Sequence, residues 1–104
     1  MCGISGYISN KTLLNENGID NTIQLMKRRG PDSNNYHKEN FGTKELALLH
    51  SRLSIIDLNN RANQPFVEDN LIIIFNGEIY NYKEIREKLK KKSIDLKLIQ
   101  ILKF

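Results

Sequence analysis

The sequence predicts an α+β domain or a layered sandwich of sheets and helices. Strand-like and helix-like stretches alternate along the chain, and no join between them carries the glycine-rich phosphate loop of a nucleotide-binding βα unit. With 104 residues, 39% hydrophobic and 27% charged, and no internal repeat, low-complexity tract or linker, the chain is the size of one small unit with a modest core.

Residues 3–9 place β-branched and aromatic side chains between glycines and predict a strand that begins almost at the terminus. After the polar turn at Asn15-Glu16-Asn17-Gly18, Ile19, Ile23 and Met26 recur at helical spacing up to Arg28. Gly30-Pro31 ends that helix, because proline disfavours a helical residue before it and has no N–H to give. Residues 45–50 predict a second strand, with Gly42 turning a hairpin back to a strand near Tyr36. The apolar run Leu71 to Phe75 predicts a strand covered on both faces. Asn81 and Glu84 have the spacing of a capping box, and Tyr82, Ile85 and Leu89 then share one face of a helix over roughly 82–92.

Composition narrows the classes of function. No apolar run is long enough to cross a bilayer and no signal peptide is evident, so the expectation is a cytoplasmic protein without a membrane partner. The net charge of +4 is local: eight Lys/Arg against three Asp/Glu from Lys83 onward, and eight against nine before it. Such a lysine-rich helix end reads as a solvated face, and no aromatic residue interleaves with Lys90-Lys91-Lys92 to stack bases, which argues against nucleic acid. His37 and His50 have no neighbours at metal-ligand spacing, so no metal is expected.

The single cysteine, Cys2, directly follows the initiator. Removal of Met1 would put a thiol and a free α-amine on one residue. The two groups titrate within about one unit of each other, so the amine can take the thiol proton near neutral pH. One residue then supplies nucleophile and base, as an N-terminal threonine does elsewhere. Taken alone, Cys2 reads better as an inert terminal residue.

Its context decides. Cys2-Gly3-Ile4 is followed by Arg29-Gly30-Pro31-Asp32, by Ser51-Arg52-Leu53-Ser54-Ile55-Ile56-Asp57-Leu58, by Gln64-Pro65, and by Phe75-Asn76-Gly77-Glu78-Ile79-Tyr80-Asn81. In that order and spacing the motifs resemble the glutaminase domain of asparagine synthetase, a class II amidotransferase with an N-terminal nucleophile. The resemblance covers about the first 90 residues. It implies the N-terminal portion of the αββα four-layer sandwich of N-terminal-nucleophile hydrolases, with L-glutamine as substrate and Cys2 as nucleophile. It makes Asn76, through its side-chain amide, and Gly77, through its backbone N–H, the donors to the tetrahedral oxyanion. Arg52 matches the arginine that binds the substrate carboxylate, the backbone of Leu53, Ser54, Ile55 and Ile56 lines the same pocket, and Glu78 matches a contact to the ammonium and amide end. The Arg29–Asp32 loop reads as structural, with Asp32 free to bond backbone N–H groups or an arginine. Arg28 stands where the family usually has histidine, and Ser33-Asn34-Asn35 replaces a stretch that usually contains glycine.

Family members continue with a Ser-Asp-x-Glu segment, whose aspartate holds the glutamine ammonium, and then with an ATP-dependent synthetase domain. The expectation is therefore a partial amidotransferase domain over 1–93 and a divergent tail over 94–104. ATP and Mg belong to the synthetase domain, and no cofactor is expected in this chain. A synthetase domain or subunit acting in trans is the implied partner. The alternative is an inactive remnant or a non-catalytic interaction module, and incomplete layers predict a marginally stable chain with little activity. The mechanism requires a mature N-terminus at Cys2, so intact-mass measurement should show loss of Met1. A retained or acetylated methionine would leave the thiol without its base.

Overall fold

The computed structural model describes residues 2–10, 15–54 and 60–92. The chain forms two compact units, Met1–Ser54 with Asn63–Asn76, and Ile55–Ala62 with Gly77–Phe104. The class is α+β, as the alternation of patterns predicts.

The first unit is built on three antiparallel strands, β1 (Gly3–Ser9), β2 (Ser33–Phe41) and β3 (Lys44–Arg52), with β3 in the centre. Its helix α1 (Glu16–Met26) begins at Asn15, whose side chain accepts the Gly18 N–H at 2.9 Å and satisfies one of the otherwise unpaired donors of the first turn. Ile19 and Ile23 of α1 are buried against Ala47 and Leu49 of β3, and Tyr7 and Met26 close the edges of this core. Strand alternation puts Gly3, Ser5, Tyr7 and Ser9 level with Ser51, Leu49, Ala47 and Glu45 on the α1 side.

The other face of the sheet is also apolar. Ile4 and Ile8 of β1 are 49% and 58% exposed, and with Leu46, Leu48 and Ile74 they line an open trough of about 500 Å³. A central strand that is apolar on both faces is the pattern of a sheet covered on two sides, and here α1 covers one. β4 (Phe66–Glu68) and β5 (Leu71–Ile73) form a separate two-stranded hairpin. The described residues of the second unit form a 3-10 turn, Asn60–Ala62, and α2 (Tyr82–Lys91), in which Tyr82, Ile85 and Leu89 are half-buried while Lys83, Glu84, Glu87 and Lys88 are exposed.

Several expectations need correction. The run Leu71 to Phe75 is strand only as far as Ile73, and Leu71 is 56% exposed, so it is not a strand covered on both faces. Apolar content alone could not distinguish a short hairpin arm from a buried strand. The Asn81 side chain makes no cap hydrogen bond, and its backbone, at φ −94° and ψ 25°, is outside the extended conformation that presents a capping side chain. β2 starts at Ser33, so Ser33-Asn34-Asn35, the stretch that replaces a glycine-containing one, is the head of an edge strand. Residues 55–59 and the tail 94–104 lie outside the described residues.

Two glycines are required for opposite reasons. A Cβ on Gly30 would stand 2.3 Å from the Ser51 carbonyl and 2.6 Å from the Arg52 nitrogen, which are backbone atoms that cannot move aside. Gly42 has open space around it but a φ of +58° in the β2–β3 turn. Gly30→Ala should therefore cost about 3 kcal/mol or more by overpacking, and Gly42→Ala about 1–2 kcal/mol by backbone strain. Urea denaturation of the two variants checks the order, and equal costs would mean that Gly30 does not meet the β3 backbone.

Candidate active site

The register of β1 on β3 assembles the site. Gly3 is level with Ser51, so Cys2, one residue earlier, falls at the level of Arg52 at the end of the sheet. The Leu53 N–H donates to Cys2 Sγ at 3.4 Å, and the sulfur lies 3.9 Å from the Leu53 carbonyl oxygen. The thiol is unbridged and half-buried, which leaves it open to a substrate while two backbone groups fix its place.

Arg52 is 2% exposed, and its Nη1 donates to Asn63 Oδ1 at 2.8 Å. The loop ahead of β2 holds the backbone on both sides of it. Gly30 packs against Ser51 and Arg52, the Asp32 N–H donates to the Arg52 carbonyl at 3.0 Å, and Asp32 Oδ2 accepts the Ser54 N–H at 2.6 Å. The Arg29-Gly30-Pro31-Asp32 motif thus shapes the segment that touches the thiol and carries the guanidinium. Ser51 Oγ adds a bond to Asn34 Oδ1 at 2.7 Å, tying β3 to β2 at the same level.

Phe75, the residue before Asn76, is held by side chains rather than by a strand ladder. Gln64, 4% exposed, accepts the Phe75 N–H at 2.6 Å through Oε1 and donates to the Phe75 carbonyl at 3.2 Å through Nε2. His50, 1% exposed, is on the sheet face opposite α1. Burial pushes its pKa below 6.5, the nearby Arg52 charge adds to that, and a backbone bond with Phe75 opposes it in part. The imidazole is therefore neutral at pH 7, with Nε2 unpartnered among the described residues.

The fold brings Cys2, Arg52, Leu53 and Ser54 together at one end of the sheet. Asn76 is exposed and directly follows the clamped Phe75. No turn of a β-hairpin forms at Asn76-Gly77, since neither is in a turn and β5 has already ended at Ile73. Gly77 and Glu78 are exposed and begin the second unit, and Ile55 and Ile56 lie outside the described residues. Sequence reasoning missed Asn63, Gln64 and His50 as parts of this region. Gln64-Pro65 was visible as a motif, but a glutamine gives no sign of whether its amide faces solvent or backbone. Among the described residues no group of three or more His, Cys, Asp or Glu could hold a metal ion. No described helix is long and apolar enough to cross a membrane.

A thiol at residue 2, held against Leu53 one residue from a buried arginine, suits attack on a substrate that carries a carboxylate. Comparison with known proteins gives the family: the profile of a glutamine amidotransferase domain matches residues 1–98. The chain belongs to the glutamine amidotransferase domain family. A putative glutamine-hydrolysing asparagine synthetase 2 of Methanocaldococcus jannaschii is 37% identical over 85% of this chain and 20% of its own length. Glutamine-hydrolysing asparagine synthetase 1 of Bacillus subtilis is 42% identical over 88% of this chain and 15% of its own. A relative with another name, amidase chry2 of Gibberella zeae, is 33% identical over 86% and 15%. The chain thus spans a fifth or less of the length of these relatives. No solved structure matches it.

For this amidotransferase domain the buried neutral His50 makes stability depend on pH. A base whose folded pKa lies below its unfolded value binds fewer protons when folded. Its contribution is complete above about pH 6.5 and is lost as pH falls from there through the lower folded value. Urea denaturation between pH 7.5 and 5 should show stability falling with acid in the parent and a shallower fall in His50→Gln. Identical slopes would mean that the imidazole is not buried in its neutral form.

Proposed function

We propose that the chain is a glutaminase that hydrolyses L-glutamine to glutamate and ammonia through Cys2, in the αββα sandwich of N-terminal-nucleophile hydrolases. The observation that carries this reading is the Cys2 thiol held against Leu53, one residue from the buried Arg52, in a chain of the glutamine amidotransferase domain family. The names of the relatives extend it: the ammonia would serve ATP-dependent amidation of aspartate to asparagine by a synthetase domain or subunit. ATP and Mg would act there, and hydrolysis of glutamine needs neither.

The steps balance on Cys2 alone. The α-amine freed by loss of Met1 takes the thiol proton, and Sγ attacks the side-chain amide carbon of glutamine. The Asn76 side-chain amide and the Gly77 N–H receive the negative charge that develops on oxygen, where preorganised donors lower the barrier most. Collapse breaks the C–N bond, the α-ammonium returns its proton to the leaving ammonia, and a γ-glutamyl thioester remains. Water then cleaves the thioester, releasing glutamate and restoring the thiol. Arg52 pairs with the substrate carboxylate, the backbone of Leu53 and Ser54 lines the pocket, and Glu78 receives the ammonium end.

A diazoketone analogue of glutamine should alkylate Cys2 in a manner that L-glutamine suppresses. Cys2→Ala should abolish both labelling and turnover, Asn76→Ala should lower kcat by about 10²–10³-fold, and Arg52→Lys should mainly raise KM because an ammonium cannot replace a bidentate fork. Labelling that ignores glutamine, with no ammonia released, would leave a non-catalytic module instead.

A further inference from the structure

Asn63 and Gln64 are consecutive residues whose side chains reach two different parts of the site. The Asn63 side-chain oxygen accepts from Arg52 Nη1 at 2.8 Å. The Gln64 amide takes both backbone groups of Phe75, one through each end, at 2.6 and 3.2 Å. A primary amide placed this way imitates a strand neighbour, and it acts two residues past the end of β5 at Ile73.

The geometry of the peptide makes the second contact consequential. The Phe75 carbonyl belongs to the planar group that also contains the Asn76 nitrogen, so fixing that carbonyl fixes the plane from which Asn76 departs. Gln64 is 4% exposed, and an amide buried to that extent is costly to rotate away from its partners. His50, buried on β3, adds a second bond to the Phe75 backbone. Arg52 carries its own constraint: a long side chain with many rotamers is aimed by Asn63 before any substrate arrives.

We propose that Asn63-Gln64 is a positioning dipeptide, in which Gln64 sets the place of the oxyanion donor Asn76 and Asn63 aims the carboxylate-binding Arg52. Neither residue touches the reacting atoms. The inference rests on the glutaminase reading and adds a division of labour between two adjacent residues. An oxyanion donor acts in the transition state, so its displacement lowers kcat and leaves KM in place. A misaimed carboxylate clamp weakens binding of substrate and transition state alike, so it raises KM and leaves kcat in place.

The test is steady-state glutamine hydrolysis by the full 104-residue chain, with rates expressed per Cys2 site that the diazoketone labels, so that unfolded molecules do not count. Gln64→Met should lower kcat by about tenfold or more with KM within about twofold, a fraction of the loss from deleting an oxyanion donor outright. Asn63→Leu should raise KM by about five- to twentyfold with kcat within about twofold, and Asn63→Asp, which keeps the acceptor for Arg52, should restore KM. Gln64→Glu keeps the acceptor for the Phe75 N–H and loses the donor, so it should fall between parent and Gln64→Met. If Gln64→Met or Asn63→Leu fails to fold, Gln64→Glu and the smaller Asn63→Ala, which removes the acceptor for Arg52, carry the comparison. Variants of both positions that change kcat and KM together, or change neither, overturn the division. A parent chain that is neither labelled nor active overturns the glutaminase reading itself, and the dipeptide's role with it.

Discussion

The antiparallel register of β1 on β3 governs where everything else in the first unit stands. Gly3 level with Ser51 is what brings Cys2 to Arg52 and lets the Leu53 N–H reach the sulfur. A slip of one residue would turn Tyr7 out of the core that it shares with Ile19, Ala47 and Leu49, and would carry Ile4 and Ile8 into it. The core beneath α1 therefore locks the register, and the register places the Cys2 thiol. Gly6 adds to the lock, because a side chain there would meet the Ala47 carbonyl at 2.8 Å. Packing of Ile19 and Ile23, far from the thiol in sequence, is in this sense part of the site's geometry.

The two faces of the sheet differ in what they have been given. Toward α1, Ile19, Ile23, Ala47 and Leu49 are buried to 8% exposure or less, whereas Ile4 and Ile8 on the other face remain about half exposed. An open apolar trough suits packing better than it suits glutamine, which carries charge at one end and an amide at the other. The polar groups that fit such a substrate are at the end of the sheet, beyond the trough. Among the described residues, the hydrophobic core lies on the α1 face, where Ile19, Ile23, Ala47 and Leu49 are withdrawn from water.

Much of this was legible in the sequence. The strand over 3–9, the helix through Ile19 and Ile23, the β2–β3 hairpin about Gly42 and the helix after Asn81 follow from periodicity and from the placing of glycine and proline. Asp32 was readable as a partner for backbone N–H groups, and it binds that of Ser54. What could not be read was the extent of burial and the direction of polar side chains. Leu71 looks like core in a run of five apolar residues, yet pairing in a three-residue hairpin arm leaves it exposed. Asn15 and Asn81 have the same chemistry ahead of a helix, but only Asn15 has the extended backbone, at φ −74° and ψ 175°, that turns its oxygen onto the first turn. Gln64 and His50 were visible as letters, and only the fold shows that both meet Phe75.

The change in character along β3 separates what serves folding from what serves the site. Ala47 and Leu49 are buried and apolar, as a central strand requires, but His50, Ser51 and Arg52 are equally buried and polar. Each such group costs about 1–3 kcal/mol if left without a partner, and a charged one more. Partners are accordingly drawn from every neighbouring segment: Asn34 of β2 for Ser51, Asn63 for Arg52, and the Phe75 backbone for His50. Leucine or valine at these three positions would satisfy the strand with no such network. Glu45, at the other end of β3, is buried as well, but Tyr7 and Lys38 meet it there. His50, Ser51 and Arg52 are consecutive, and they stand at the end of the sheet that holds the Cys2 thiol.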